Sequence, residues 1–337
     1  MIQKSLLLVF AAIFIISAVA VMSCKKSESA TGPNVPTYPV TATVVGPSGS
    51  PQGGATLTLQ NPPFQSSIFS TVTDNAGHGT IQSPSGQQTL VARLGTVFQA
   101  TISVNVAASS GGTNAGVMTL QQNANLGRVL VVYAGCEQLE NVLRSDSILF
   151  NTFDTTYVDT MRARAQADST ALLSFLTTYA LVFSDCNCGD ETSYPLLARI
   201  YGRYVQQGGK IYGGHYNYMN LQYIFAPNYQ TSSFETNDSI NIIDQNLSAA
   251  IGYNVAAWPT GNLGYQKFTD LPAGNSTVYA VITGTSGSAT SPQGVPLIVE
   301  NRVGSGKYLW TIYHNQDILY DPSGKLVKIV RYFLYSL

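Results

Sequence analysis

Between positions 38 and 118 apolar and polar residues alternate in short runs, at 40–45, 55–59, 68–72, 80–82, 88–93 and 98–106. Alternation with a period of two lays every second side chain on the same face of an extended chain, so each run predicts a strand with one buried face. Turns separate them, notably Pro47-Ser48-Gly49 and Asp74-Asn75-Ala76-Gly77, where Asn and Gly accept positive φ. Short strands at this spacing predict a small antiparallel β-sandwich. Beyond position 127 the texture changes. The run 128–133 is largely apolar, as in a parallel strand covered on both faces. Helices are expected over 139–149 and 169–178, the latter carrying Leu172, Leu173 and Phe175, with a second buried strand at 179–183. A helix over 193–207 places Leu196, Leu197, Ile200, Tyr201 and Val205 on one side, and Gly208-Gly209 stops it before a strand at 210–212. A helix at 239–249, strands at 277–282, 296–300 and 308–313, and a helix over 325–335 complete the pattern. Strand alternating with helix predicts a three-layer αβα domain with a mostly parallel sheet.

Before all of this stands an apolar run from Leu6 to Met22, preceded by Lys4 and broken only by Ser17, which reads as an export signal. Val21-Met22-Ser23-Cys24 resembles a bacterial lipobox, which implies cleavage after residue 23 and an acylated Cys24 as the link to a lipid bilayer. An ordinary secretory peptide and a retained helix are the alternatives, since about 17 apolar residues lie at the short edge for spanning a bilayer. Residues 24–37 are rich in Ser, Pro, Thr and Gly and read as a flexible tether. In the lipoproteins this leader resembles, the usual destination is the outer membrane of a Gram-negative envelope. The 337-residue chain is 45% hydrophobic but only 10% charged, with a formal net charge of -1, which leaves nothing basic enough to collect nucleic acid. From 38 to 119 the charged side chains are Asp74 and Arg93 alone, so solubility there rests on Ser, Thr, Gln and Asn.

Three pieces of the first region, 41–59 (TATVVGPSGSPQGGATLTL), 71–81 (TVTDNAGHGTI) and 87–95 (QQTLVARLG), resemble a carboxypeptidase regulatory-like domain, a transthyretin-like, Ig-like sandwich. The resemblance implies a domain over 38–120 that spaces, stabilises or docks another module without catalysing. His78 reads as a solvated turn residue. Four pieces of the second region, RVLVVYAG at 128–135, YALVFSDCNCG at 179–189, YVQQGGKIYGGHYNYM at 204–219 and VGSGKYLWTIYHNQD at 303–317, resemble the class I glutamine amidotransferase-like fold. That implies a flavodoxin-like domain over 127–337, with Gly304-Ser305-Gly306-Lys307 as a hairpin turn rather than a phosphate loop.

Active members of that family carry a cysteine on a sharp turn after a strand, with a histidine and a glutamate from a later strand end. A thiolate nucleophile needs a base within hydrogen-bond reach and backbone N–H groups to receive the oxyanion. Carried over by motif, His215 stands where the cysteine would be, His314 falls on the histidine, and Gln316 stands where the carboxylate is expected. An imidazole cannot form the thioester on which glutamine hydrolysis depends. The leading expectation is therefore a non-enzymatic envelope lipoprotein without a cofactor or metal. Three readings of the turn remain open: an inert pocket, recognition of a glycan or small polar ligand through Tyr216, Asn217, Tyr218 and Gln316, or hydrolytic or metal chemistry using His215, His314 and Asp185. An envelope protein is a further candidate partner. Cys136, Cys186 and Cys188 follow predicted strands, and a disulfide from Cys136 to either of the others fits an export compartment.

Overall fold

The structure, a computed structural model, describes residues 35–123, 125–135, 138–145, 150, 152–185, 194–214, 217, 220, 224–225, 229–231, 239–257, 266–268, 276–283, 296–311 and 325–337. The alternating region forms β1 (Thr37–Val45), β2 (Thr56–Leu59), β3 (Ser70–Val72), β4 (His78–Pro84), β5 (Gly86–Leu94), β6 (Phe98–Val106), β7 (Thr113–Thr119) and β8 (Gln121–Gln122). They pack as two sheets, β4-β1-β7 and β3-β2-β5-β6-β8. Alternation works as expected: Val40, Ala42 and Val44 of β1, Leu57 and Leu59 of β2, and Leu90, Ala92 and Leu94 of β5 are buried. The strands pair antiparallel apart from β1 with β7, which run parallel because most of the sandwich intervenes between them in the chain. At the tight turn before β4, the Asp74 carboxylate accepts from the N–H groups of Ala76 at 2.9 Å and His78 at 2.8 Å. Gly77 has φ of 78°, and a Cβ there would stand 2.2 Å from the Val44 carbonyl, so both conformation and space call for glycine.

The second region runs β9 (Arg128–Tyr133), α1 (Leu139–Arg144), β10 (Asp154–Tyr157), α2 (Val158–Ala167), α3 (Ser169–Leu176), β11 (Tyr179–Ser184), α4 (Tyr194–Gln206), β12 (Lys210–Gly213) and β13 (Tyr229–Thr231). It continues with β14 (Ser239–Ile242), α5 (Gln245–Ile251), β15 (Val255–Ala257), β16 (Gln266–Phe268), β17 (Ser276–Thr283), β18 (Pro296–Val303), β19 (Gly306–Thr311) and α6 (Lys325–Ser336). Among the described residues, nine strands form one sheet in the order β10-β9-β11-β12-β19-β18-β17-β14-β15, and β13 pairs with β16 apart from it. The strands from β10 to β19 are parallel, as alternation with helices predicts. From β19 through β18, β17 and β14 to β15 the pairing is antiparallel. The reversal begins at the β18–β19 hairpin, where Gly304 at φ 59° turns the chain too tightly for any crossover, so the sheet is mixed. Residues 239–249 are also not one helix. Ile240 and Ile242 belong to a strand, and the helix starts only after Asp244, whose carboxylate accepts from Leu247 N–H at 2.7 Å.

Side chains along β11 point alternately to opposite faces. Ser184 faces Tyr201 of α4, whereas the ring of Phe183 meets Phe150 at 5.4 Å, and Phe150 lies 6.4 Å from Tyr335 of α6. Helices therefore cover both faces. The sandwich docks at the amino end of the parallel strands. There Lys210, the first residue of β12, donates to Thr96 Oγ1 at 2.5 Å and to the Leu337 main-chain oxygen at 2.7 Å. Phe98 packs edge-to-face 4.9 Å from Phe150 and tilted 4.7 Å from Tyr335, so an aromatic row continues from the sandwich into the sheet. The opposite, carboxyl ends of the strands face away from the sandwich.

Candidate functional site

At those carboxyl ends β9, β11, β12 and β19 terminate side by side. This is the edge where loops of open α/β sheets gather their functional groups. Ser184 of β11 pairs with Val132 on one side and Gly213 on the other, and Gly213 pairs with Trp310. Two hydrogen bonds tie the chain just beyond them: Asp185 N–H donates to the Val132 carbonyl at 2.9 Å, and Gly214 N–H to the Ser184 carbonyl at 3.1 Å.

Asn217 fills the space between them. Its N–H donates to the Gly214 carbonyl at 2.9 Å, closing a turn. Its side-chain amide donates to the main-chain oxygens of Ser184 at 3.0 Å and Asp185 at 2.5 Å. Its Oδ1 accepts from Ser184 Oγ at 3.0 Å and from Asn220 Nδ2 at 2.7 Å. Asn220 also donates to the Tyr308 hydroxyl at 3.2 Å, and that hydroxyl donates to the Asn217 carbonyl at 3.4 Å. All the members are buried, with Asn217 at 0% exposure. Gly213 makes the approach possible, because a Cβ there would lie 2.8 Å from the Tyr308 hydroxyl and 2.9 Å from Asn217 Cβ. Burial pushes the phenols of Tyr308 and Tyr201 well above the usual tyrosine value, against opposing pulls from Asn220 and Ser184 respectively, so both remain neutral.

Of the candidates named from the sequence, the structure places two. Asn217, named as part of a candidate ligand patch, is buried, and its amide is committed to main-chain oxygens. Asp185 sits at the strand ends with 1% exposure. His215, Tyr216, Tyr218, His314, Gln316, Cys136, Cys186, Cys188 and the lipobox Cys24 lie outside the described residues. The exposed His78 opens β4, and its Nδ1 is 3.1 Å from Thr43 Oγ1, in keeping with a solvated surface position. Among the described residues no group of three or more His, Cys, Asp and Glu is placed to hold a metal, and no helix is long and apolar enough to cross a membrane. Sequence reasoning missed Ser184, Asn220 and Tyr308 as partners of Asn217. Their separations along the chain, 33, 3 and 91 positions, show why: only the shorter could register as a local pattern.

No family model matches the chain, and no curated protein does. Among solved structures it is similar to PurLQS from Thermotoga maritima, at 13% identity over 61% of this chain and 97% of that one, with a TM-score of 0.40. A glutamine amidotransferase from the same organism matches at 14% identity over 61% of this chain and 96% of the other, with a TM-score of 0.42. A ThuA-like protein from Parabacteroides merdae matches at 13% identity over 62% and 89%, with a TM-score of 0.40.

Proposed function

We propose that the chain is a lipid-anchored protein of the cell envelope, held through acylated Cys24, in which the sandwich supports a catalytically degenerate αβα module that binds or organises rather than catalyses. Support comes from the closure of the strand ends by Asn217. Acyl transfer needs free donors aimed at a developing oxyanion beside an activated nucleophile. Here the Asn217 amide, at the paired ends of β11 and β12, is engaged by the carbonyls of Ser184 and Asp185, and the hydroxyls of Ser184 and Tyr308 are engaged by Asn217. Such a network rigidifies the edge and leaves recognition to the loops around it. A glycan, a small polar molecule and an envelope protein are the ligand classes to try.

The competing reading is a hydrolase or metal-dependent enzyme using His215 and His314. The buried Asp185 carboxylate at the same strand ends favours it, since buried acids in such places serve as general bases. One experiment separates the two. Wild-type chain and a His215→Ala/His314→Ala double variant are assayed for glutamine, amide and ester hydrolysis, and Cys24→Ala is fractionated after labelling with radioactive palmitate. The proposal expects no turnover that distinguishes the first pair, and loss of both label and membrane retention in Cys24→Ala. Turnover abolished by the double variant would establish the enzyme instead, and membrane retention unchanged in an unlabelled Cys24→Ala would remove the anchor.

A further inference from the structure

A second concave surface lies away from the strand ends, where the sandwich meets α6. It encloses about 320 Å³, at the small end of the range for ligand sites, and domain junctions are where such sites concentrate. One wall is a stripe of α6: Lys328, Arg331, Tyr332 and Tyr335 recur at helical spacing, so all four fall on one face. The other wall is made by two sandwich turns carrying Gln52 and Asn75.

That second wall is rigid. Gln52 N–H donates to the Val44 carbonyl at 2.9 Å, Gly54 N–H to the Thr73 carbonyl at 3.0 Å, and the buried Thr73 hydroxyl to the Gln52 carbonyl at 2.8 Å. The turns approach so closely that a Cβ on Gly53 would stand 2.9 Å from the Asp74 carbonyl. These are the segments PSGSPQGGA and TDNAGHG, which the strand-end reading leaves without a role. The backbone that carries both amides is thus held in place before any ligand arrives, and Gln52 Nε2 is steadied by the Gly53 carbonyl at 3.0 Å, which lowers the ordering cost of binding.

Charge on the two walls is one-sided. Lys328 and Arg331 bring two cations, and the described lining residues contain no acid. The carboxylates that act on the Tyr332 phenol, Asp244 and Glu300, do not line the cleft. Asp244 caps α5, and Glu300 is paired with Arg302. A guanidinium and an ammonium three residues apart suit a carboxylate or a phosphate. Amides suit hydroxyls, and the part-exposed ring of Tyr332 suits the apolar side of a sugar ring, while Tyr335, buried against Phe98, closes the floor.

The geometry points to a binding site for a sugar-sized hydroxylated anion, its carboxylate or phosphate at Lys328 and Arg331 and its hydroxyls at Gln52 and Asn75. This goes beyond the reading of the strand ends and does not depend on it. Calorimetric titration of the full chain in detergent with glucuronate, glucose 6-phosphate and glucose tests it. Saturable binding of at least one anion is expected, with glucose weaker by about tenfold or more, and with Lys328→Gln and Arg331→Gln each weakening the anion by about tenfold. Binding of glucuronate alone identifies a carboxylate site, and of glucose 6-phosphate alone a phosphate site. Lys328 is exposed, so Lys328→Gln keeps the fold, which an unchanged ligand-free melting temperature checks. The site is overturned by the absence of saturable heat from either anion up to about 10 mM, by equal binding of glucose, or by anion binding indifferent to both substitutions.

Discussion

At the scale of single residues, Asn217 is the position on which the strand ends depend. It satisfies two carbonyls and receives two donors in a space closed to water, and an unpaired buried polar group costs more than a hydrogen bond gains. Asn217→Ala leaves the carboxamide's partners without it, at an expected cost of about 2–4 kcal/mol, read as a lower urea midpoint with an unchanged slope. Asn217→Asp keeps the acceptor but brings a carboxylate against two carbonyl oxygens, so it should be at least as destabilising. A stability within about 0.5 kcal/mol of wild type for either variant would mean that the network is not formed in solution. The sequence offered little warning of this. Tyr216-Asn217-Tyr218 reads as a candidate ligand patch because tyrosine buries area while offering a hydroxyl, which binding surfaces favour. The partners that draw Asn217 inward come from β11 and β19, and no local periodicity connects them.

The scale of elements shows which patterns are legible. Helix α4 could be read because its apolar stripe was long and its stop was explicit. Of the stripe read from the sequence, Leu197, Ile200, Tyr201 and Val205 are buried together with Tyr204, whereas Leu196 is exposed, and Gly208 takes φ of 94° where the helix ends. Helix α2 escaped notice because Val158, Met161 and Ala165 are its only buried residues, a stripe too thin to stand out among Asp159, Arg162 and Arg164. The break between β14 and α5 is signalled by Asp244, a capping residue set inside a run whose composition otherwise reads as continuous helix. Between α4 and β12, Gly209 has a role that goes beyond turning the chain. A Cβ there would lie 2.3 Å from the ring of Tyr204, whose hydroxyl is held by the Tyr179 carbonyl at 3.0 Å. The ring is pinned at both ends and cannot yield. Gly209→Ala should therefore cost about 2–4 kcal/mol, with the buried Tyr204 displaced, as seen in chemical denaturation and in lost near-ultraviolet dichroism. A neutral result would show that the ring or the turn moves freely.

For the whole molecule the question is whether two domains behave as one. Three kinds of contact join them: the ring row from Phe98 through Phe150 and Tyr335, the bonds that Thr96 makes with Lys210 and with the Leu337 main-chain oxygen, and the close passage of Gly95 under α6. Burial together with neighbouring Lys307 pushes the Lys210 ammonium below its ordinary value, so the junction is desolvated at its charged centre as well as its aromatic one. Domain interfaces in one chain usually permit motion unless they are large and apolar, and this one combines an apolar row with a pinned cation. Gly95 offers a controlled test of the coupling. Its φ of 56° already disfavours a side chain, and a Cβ would come 2.0 Å from the Tyr335 main-chain oxygen. Gly86, at the other end of β5, has φ of 94° with nothing within 4 Å of the same hypothetical atom. Alanine at either position bears the left-handed backbone penalty of about 1–2 kcal/mol, but only Gly95→Ala must also lift α6 from the hairpin. Scanning calorimetry should show one transition for wild type, one slightly earlier transition for Gly86→Ala, and two for Gly95→Ala, since the sandwich would then melt apart from the sheet. If both variants melt alike, the domains are neighbours without being coupled. The cleft between Gln52 and Arg331 would then change width as they move, and any ligand held there would have to close it at its own expense.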